Sequence, residues 1–219
     1  MKNPVRSLIV LMTLLCTIGL SLSARAQSAQ AGKKKADMCI GCHGIPGYRA
    51  SFPEIYQVPM IAGQNAKYIV AALTEYKKGD RKHPTMRAIA KSLSDQDMAD
   101  LAAFYSTEVK DEPIPAALPA DMPANVAELL KKGNCASCHG ANLSTPIDPG
   151  YPKLAGQHAD YLYYALLAYQ TDANPLIGRN NPIMMGMARP FTHAEVRQIA
   201  DYIGSLPSQL RTVPQSRWR

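Results

Sequence analysis

Two six-residue stretches constrain this chain more than anything else in it: Cys39-Ile40-Gly41-Cys42-His43-Gly44 and Cys135-Ala136-Ser137-Cys138-His139-Gly140. Apart from Cys16, these hold every cysteine of the protein. A Cys-x-x-Cys spacing on a helical turn presents two thiols side by side, and a histidine placed directly after the pair is the signature of covalent c-type haem attachment. Two thioethers fix the ring, and the imidazole of His43 or His139 then comes up beneath the iron. The glycine that follows lets the chain leave the haem face closely. Other readings of the cysteines account for less. A thioredoxin-like pair calls for a βαβ pattern, which neither unit has around it. A zinc site drawn from both pairs would bridge 96 positions, far outside zinc-ribbon spacing. Two disulfides suit an exported chain with four cysteines but leave the repeated histidine without a reason.

The N-terminus places the chain outside the cytoplasm. Lys2 and Arg6 precede a short apolar run, residues 8 to 22, and Ala24-Arg25-Ala26 then matches a small-x-small cleavage site. Residues 1–26 read as a signal peptide. The run is too short for a comfortable membrane span, and the residues before Cys16 do not suit lipoprotein processing. Without the leader, which carries Lys2, Arg6 and Arg25, 21 basic residues face 17 acidic ones. That mild surplus, with no dense basic stripe, excludes a nucleic-acid footprint.

The duplication extends well beyond the cysteines. Residues 59–69, PMIAGQNAKYI, parallel residues 152–162, PKLAGQHADYL. Residues 93–105, LSDQDMADLAAFY, parallel residues 191–203, FTHAEVRQIADYI. Between the halves lies a connector with four prolines, residues 110–124, whose composition forbids a continuous helix. The expected organisation is therefore a first domain over 27–109, a linker over 110–124 and a second domain over 125–219. Apolar residues at three- and four-residue steps predict helices over 66–78 and 159–169, with further helices over 29–38 and 125–132. Ser94-x-x-Asp97 and Thr192-x-x-Glu195 mark helix starts, the second as a capping box. No period-two strand is sustained, so the fold class is all-α. Domains this small have thin cores, and buried haem is expected to complete them.

The face of each iron opposite the histidine decides between catalysis and electron transfer. Methionine sulfur is a soft ligand that favours ferrous iron. Met98 falls inside an amphipathic helix and reads as core. Met60 has Lys153 as its counterpart, which argues against a repeated role. Met86, read as lying in a loop between two helices, falls on Met184 when the final helices are aligned, and Pro84 falls on Pro182. Met86 and Met184 are therefore the expected distal ligands, with Met185 and Met187 as alternatives to the second. His83 aligns with Asn181, so no shared role is expected there. Surface or capping roles are expected for His83, His158 and His193. The aromatic run over 161–169 reads as core against the second haem, and the basic tail over 210–219 as a frayed end.

Taken together, the paired haem units, the Pro-x-(Ile/Leu)-Ala-Gly-Gln turns, the methionine segments and the closing helices resemble the dihaem cytochrome c4 family along about the whole mature chain. The resemblance implies two tandem class I cytochrome c-like domains related by pseudo-twofold symmetry, with the haems close at the interface. It implies two covalently bound haem c groups, held through Cys39, Cys42, Cys135 and Cys138, with His43, Met86, His139 and Met184 as axial ligands. In such domains the proline after the haem unit accepts a hydrogen bond from the proximal histidine, a role carried over to Pro59 and Pro152. The implied function is a periplasmic electron carrier of a respiratory chain, not an enzyme, with redox proteins as partners. A haem-copper terminal oxidase is among the implied acceptors, with loose attachment to the membrane, and no small-molecule substrate is expected. The alternative is an electron-transfer subunit of a periplasmic dehydrogenase such as a flavocytochrome c. Catalysis at the haem, as in dihaem peroxidases or thiosulfate dehydrogenases, fits less well, because each half offers a methionine and no cysteine is left over.

Overall fold

A computed structural model describes residues 27–109 and 112–214; the expected signal peptide lies outside the described residues. The first half runs α1 (Ala29–Lys35), α2 (Asp37–His43), β1 (Arg49–Ala50), β2 (Tyr56–Gln57), α3 (Ala66–Lys78), β3 (Arg81–Lys82), α4 (Pro84–Lys91) and α5 (Asp95–Thr107). The second runs α6 (Ala124–Lys132), α7 (Ala136–His139), α8 (Ala159–Gln170), β4 (Gly178–Arg179), α9 (Pro182–Ala188) and α10 (His193–Ser205). The strands are two residues each, so the helical class expected from the sequence holds. The helix expected over 29–38 is instead two helices hinged at Ala36, because α2 turns to present the cysteines.

Each half closes its own core. Met98 and Leu101 of α5 are buried with Ile69 and Phe104 in the first; Val196 and Ile199 of α10 are buried with Leu162 and Phe191 in the second. The long helices start alike. Ser94 and Asp97, and Thr192 and Glu195, form complete capping boxes, each satisfying two of the orphan donors of a helix N-terminus.

Helix α1 is pinned to α5 through Asp100. Its buried carboxylate accepts from Ser28 N at 3.0 Å, Gln96 Nε2 at 2.9 Å and Lys35 Nζ at 3.0 Å. Lys35 also pairs with Asp97. The backbone hydrogen bond from Ser28, with Lys35 and Gln96, holds Asp100 below the usual carboxylate range, and Lys35 with Ser94 does the same for Asp97. An unfolded chain takes up protons near the ordinary value of ~3.9. The folded chain resists protonation to lower pH, so this stabilisation is complete above that range and is lost as pH falls through it. In the second half Gln198 aligns with Asp100 and bonds Asn125 Nδ2 at 2.6 Å instead. Acid unfolding is thus expected to begin in the first half, and thermal melts across pH should show a flatter acid limb in Asp100→Asn.

The halves meet along a pseudo-twofold seam. Strand β3 pairs antiparallel with β4, placing Arg81 opposite Arg179, and Asn180 N donates to Asp80 O at 2.6 Å. Tyr56 of β2 stacks on Tyr164 of α8 with centroids 4.6 Å apart, and Arg49 and Gln57 N both reach Asp160. The aromatic run of α8 is therefore only partly core within its own half; Tyr161 and Tyr164 face Tyr56 of the first. Two residues separate α3 from β3, whereas seven separate α8 from β4. The longer loop reaches across as well, since Asn174 O accepts from Lys82 Nζ at 2.6 Å.

The tail is not frayed over its described part. Leu210 is buried, Arg211 bridges to Ala62, and its Nε donates to Glu108 O at 2.9 Å. The strap crosses Gly63, whose φ is +82° and whose absent Cβ would lie 2.4 Å from Gln209 O. Glycine is required there for both reasons.

Candidate functional site

One continuous cavity of 540 Å³ runs through both halves. Cys39, Cys42 and His43 form one wall at the first end, and Cys135, Cys138 and His139 at the second. Each histidine sits at the end of its short helix, α2 or α7, so the helix that spaces the cysteines also aims the ring. Gly140 then turns left-handed at φ +85°, with Thr145 O packed where a Cβ would be.

Both rings are fixed in the same way. His43 Nδ1 lies 2.8 Å from Pro59 O, and His139 Nδ1 lies 3.0 Å from Pro152 O. A carbonyl only accepts, so Nδ1 carries the proton and Nε2 keeps its lone pair. Burial pushes both imidazoles below the usual histidine range, against the pull of the proline carbonyls. Both are thus neutral donors at neutral pH.

Met86 and Met184 line the same cavity. They sit in the first turns of α4 and α9, not in loops as the sequence suggested, because proline at the start and a side-chain cap set both helices. The caps are His83, whose Nδ1 accepts from Met86 N at 3.3 Å, and Asn181, whose Oδ1 accepts from Met184 N at 3.1 Å. His83 and Asn181 therefore share a role after all: each aims a methionine-bearing turn. Met187, one turn from Met184, also lines the cavity, as does Met60, while Met98 is buried core.

The comparisons decide the family. The cytochrome c family model matches residues 29–107 and again 123–207. Cytochrome c4 of Azotobacter vinelandii is 32% identical over 214 residues, covering 90% of this chain and 98% of that protein. The chain belongs to the dihaem cytochrome c4 family. The thiosulfate dehydrogenase electron acceptor of Stutzerimonas stutzeri is 31% identical, covering 85% of this chain and 91% of that protein. Among solved structures, reduced recombinant cytochrome c4 from Pseudomonas stutzeri superposes with a TM-score of 0.58 at 27% identity, covering 83% of this chain and all of that one. As a cytochrome c4, the chain carries two covalently attached haem c groups, at Cys39 and Cys42 and at Cys135 and Cys138, and works as an electron carrier.

The residues fit the two groups. Each end of the cavity offers a thiol pair, a neutral imidazole and a thioether, the donor set of a low-spin c-type iron. Isolated Cys-x-x-Cys pairs held at two ends of an apolar cavity suit two separate rings.

Three features of this cytochrome c4 site escaped the sequence reading. Gln64 and Gln157, marked only as part of a repeated turn, cross the seam. Gln157 Oε1 accepts from Met60 N at 3.0 Å and its Nε2 donates to Met60 O at 2.9 Å. Gln64 treats Lys153 in the same way, at 2.9 and 3.0 Å. Met60 and Lys153, expected to have no repeated role, are thus equivalent through their backbones. The other two features are the Asn181 cap, equivalent to the capping role expected of His83, and the buried pair Arg81 and Arg179. Repetition between the halves is the signal that could have found the glutamines; contact across a seam is not written in periodicity.

Proposed function

We propose that this chain is a periplasmic carrier in a respiratory chain, with His43 and Met86 on the first iron and His139 and Met184 on the second. The observation that carries this is the shared cavity: at each end an imidazole with Nδ1 tied to a proline carbonyl, half-buried at His43 and buried at His139, shares its walls with a capped methionine turn. Each haem c supplies a one-electron ferric/ferrous couple. In each half the imidazole and the thioether would hold the iron, and burial keeps the imidazoles neutral. The proline carbonyls make the histidines better donors. Two coordinating groups per iron leave no position for substrate, which supports relay over catalysis. Exposed Tyr48 and Phe52 at one mouth of the cavity, and Ile183 and Met187 at the other, offer apolar rims through which partner redox proteins would reach the haem edges. Among the described residues no helix is long and apolar enough to cross a membrane; any association with a membrane oxidase is peripheral on this reading. The boundaries 27–109 and 125–219 are proposed for the two haem domains, with the reservation of 210–213 to the surface of the first.

A second reading is favoured by the Stutzerimonas relative: the electron donor is a periplasmic dehydrogenase with which the chain forms a complex. Gel filtration of native extract separates the two, since a free carrier elutes alone. The ligation is tested with carbon monoxide. The reduced protein is expected to show no prompt spectral change at neutral pH; a prompt change at either haem overturns the proposal.

A further inference from the structure

The segment that follows α10 crosses the repeated Ala-Gly-Gln turn of both halves. Each turn is held from inside by its own closing helix: Gly63 N donates to Tyr105 O at 2.8 Å, and Gly156 N to Ile203 O at 2.8 Å. Both glycines are left-handed, at φ +82° and +69°. A Cβ on Gly156 would lie 2.3 Å from Ser208 Cβ, and one on Gly63 would lie 2.4 Å from Gln209 O. Two neighbouring residues of one extended segment thus cover turns that belong to different halves.

Over the first turn the segment also bonds. Arg211 N donates to Ala62 O at 3.1 Å in an antiparallel bridge. Its Nε donates to Glu108 O at 2.9 Å, where α5 ends and leaves its last carbonyls without helical partners. Its Nη2 lies 3.3 Å from Glu108 Oε2. Leu210 is buried and Val213 packs against the first core. The linker crosses in the other direction, with Leu118 and Met122 on the second core, but it has to cross to reach α6. The second matched cytochrome c domain ends at residue 207, so the strap belongs to neither repeat.

Ala62 is the third residue after Pro59, and Pro59 O lies 2.8 Å from His43 Nδ1. A turn bonded to α5 on one side and to the strap on the other opens less often than a turn bonded on one side alone. We infer that residues 208–213 are a positioning strap for the first haem: they hold the turn whose Pro59 carbonyl fixes His43. The inference rests on the reading of His43 as an iron ligand and adds the strap to what orients it. A firm bond at Nδ1 makes the imidazole a stronger donor, which favours ferric iron. Loss of the strap therefore favours ferrous iron at the first haem.

The test compares three holoproteins, each with haem content checked at two per chain: the full chain, a chain ending at Pro214, which keeps the strap, and a chain ending at Ser208. The last leaves Ser208 over Gly156, so the second haem serves as reference. In the chain ending at Ser208, the His43 Nδ1 proton and the Gly63 amide proton should exchange about tenfold faster, as expected when the turn loses a net hydrogen bond. The equilibrium constant for reduction should rise severalfold at the first haem and less at the second. The chain ending at Pro214 should match the full chain in both. Gly63→Ala strains the backbone in either chain but meets Gln209 O only when the strap is present. Its cost in denaturant titration should therefore be larger in the full chain than in the chain ending at Ser208; equal costs overturn the crossing. Should Gly63→Ala fail to mature in the full chain, the exchange rates decide alone. Unmoved exchange and potential in the chain ending at Ser208, or equal shifts at both haems, overturn the positioning role. A full-length protein whose first iron proves not to be bound by His43 overturns the ligand reading and the inference with it.

Discussion

Replacing Met86 by alanine is expected to remove the iron–sulfur charge-transfer band of the first haem, leave that of the second, and open the first iron to carbon monoxide. The thioether stabilises ferrous iron and closes the sixth position. Its loss should lower the potential of that haem by a sizeable share of the roughly 0.8 V that axial ligation spans. The fold should survive, because Met86 is half-buried at the cavity wall and is absent from the packed cores. Its turn is held by Pro84 and His83, not by the sulfur. Met184→Ala should do the same to the second haem. There Met187 also faces the cavity, one helical turn away, so parallel spectra of Met184→Ala and Met187→Ala decide the ligand. Retention of both bands in Met86→Ala would remove the first assignment.

The second large effect is expected from Gln157→Ala, and it should be felt mostly at the other half's haem. Gln157 is 4% exposed. It satisfies Met60 N and Met60 O in the first half and His158 N in its own. Removing the amide strands those backbone groups, at about 1–3 kcal/mol for each that water cannot reach. A loss of roughly 3 kcal/mol in folding stability is expected from that principle, measurable by denaturant titration. Met60 directly follows Pro59, whose carbonyl fixes His43. The potential of the first haem should therefore move although the altered residue belongs to the second half. Gln64→Ala should act on the second haem through Lys153 and Pro152. If Gln157→Ala shifts only the second haem, the crossed support is not what holds the histidine.

Most of the chemistry was legible because it is local. Cys-x-x-Cys-His packs the ring's anchors and one ligand into a single turn, so spacing alone carries it. The Ser94 and Thr192 caps are equally short-range, and helices over 66–78 and 159–169 follow from apolar periodicity. Met86 and Met184 could be singled out as cavity-lining candidates because duplication supplied an internal alignment, though their short helices were missed: eight and seven residues with proline at the start look like loop.

What was not legible is the seam. Arg81 and Arg179 sit 98 positions apart, and Gln157 lies 97 from Met60. Nothing in either local pattern says that a polar residue in one half will be buried against the backbone of the other. The tail from Leu210 to Val213 was missed for the same reason, since a basic C-terminus has no local signal that it will cross the opposite half.

By itself the amino-acid order determined that the chain holds two haems, which residues tether them, and that two like halves repeat. Those properties are set within single turns of helix, where chemistry and spacing coincide. Only the tertiary structure decided that the residue after each half's bracing proline is held by the other half's glutamine, and that two buried arginines face one another across the seam. Such contacts depend on how two finished surfaces meet, and burial across that meeting gives their charge and hydrogen bonds their strength.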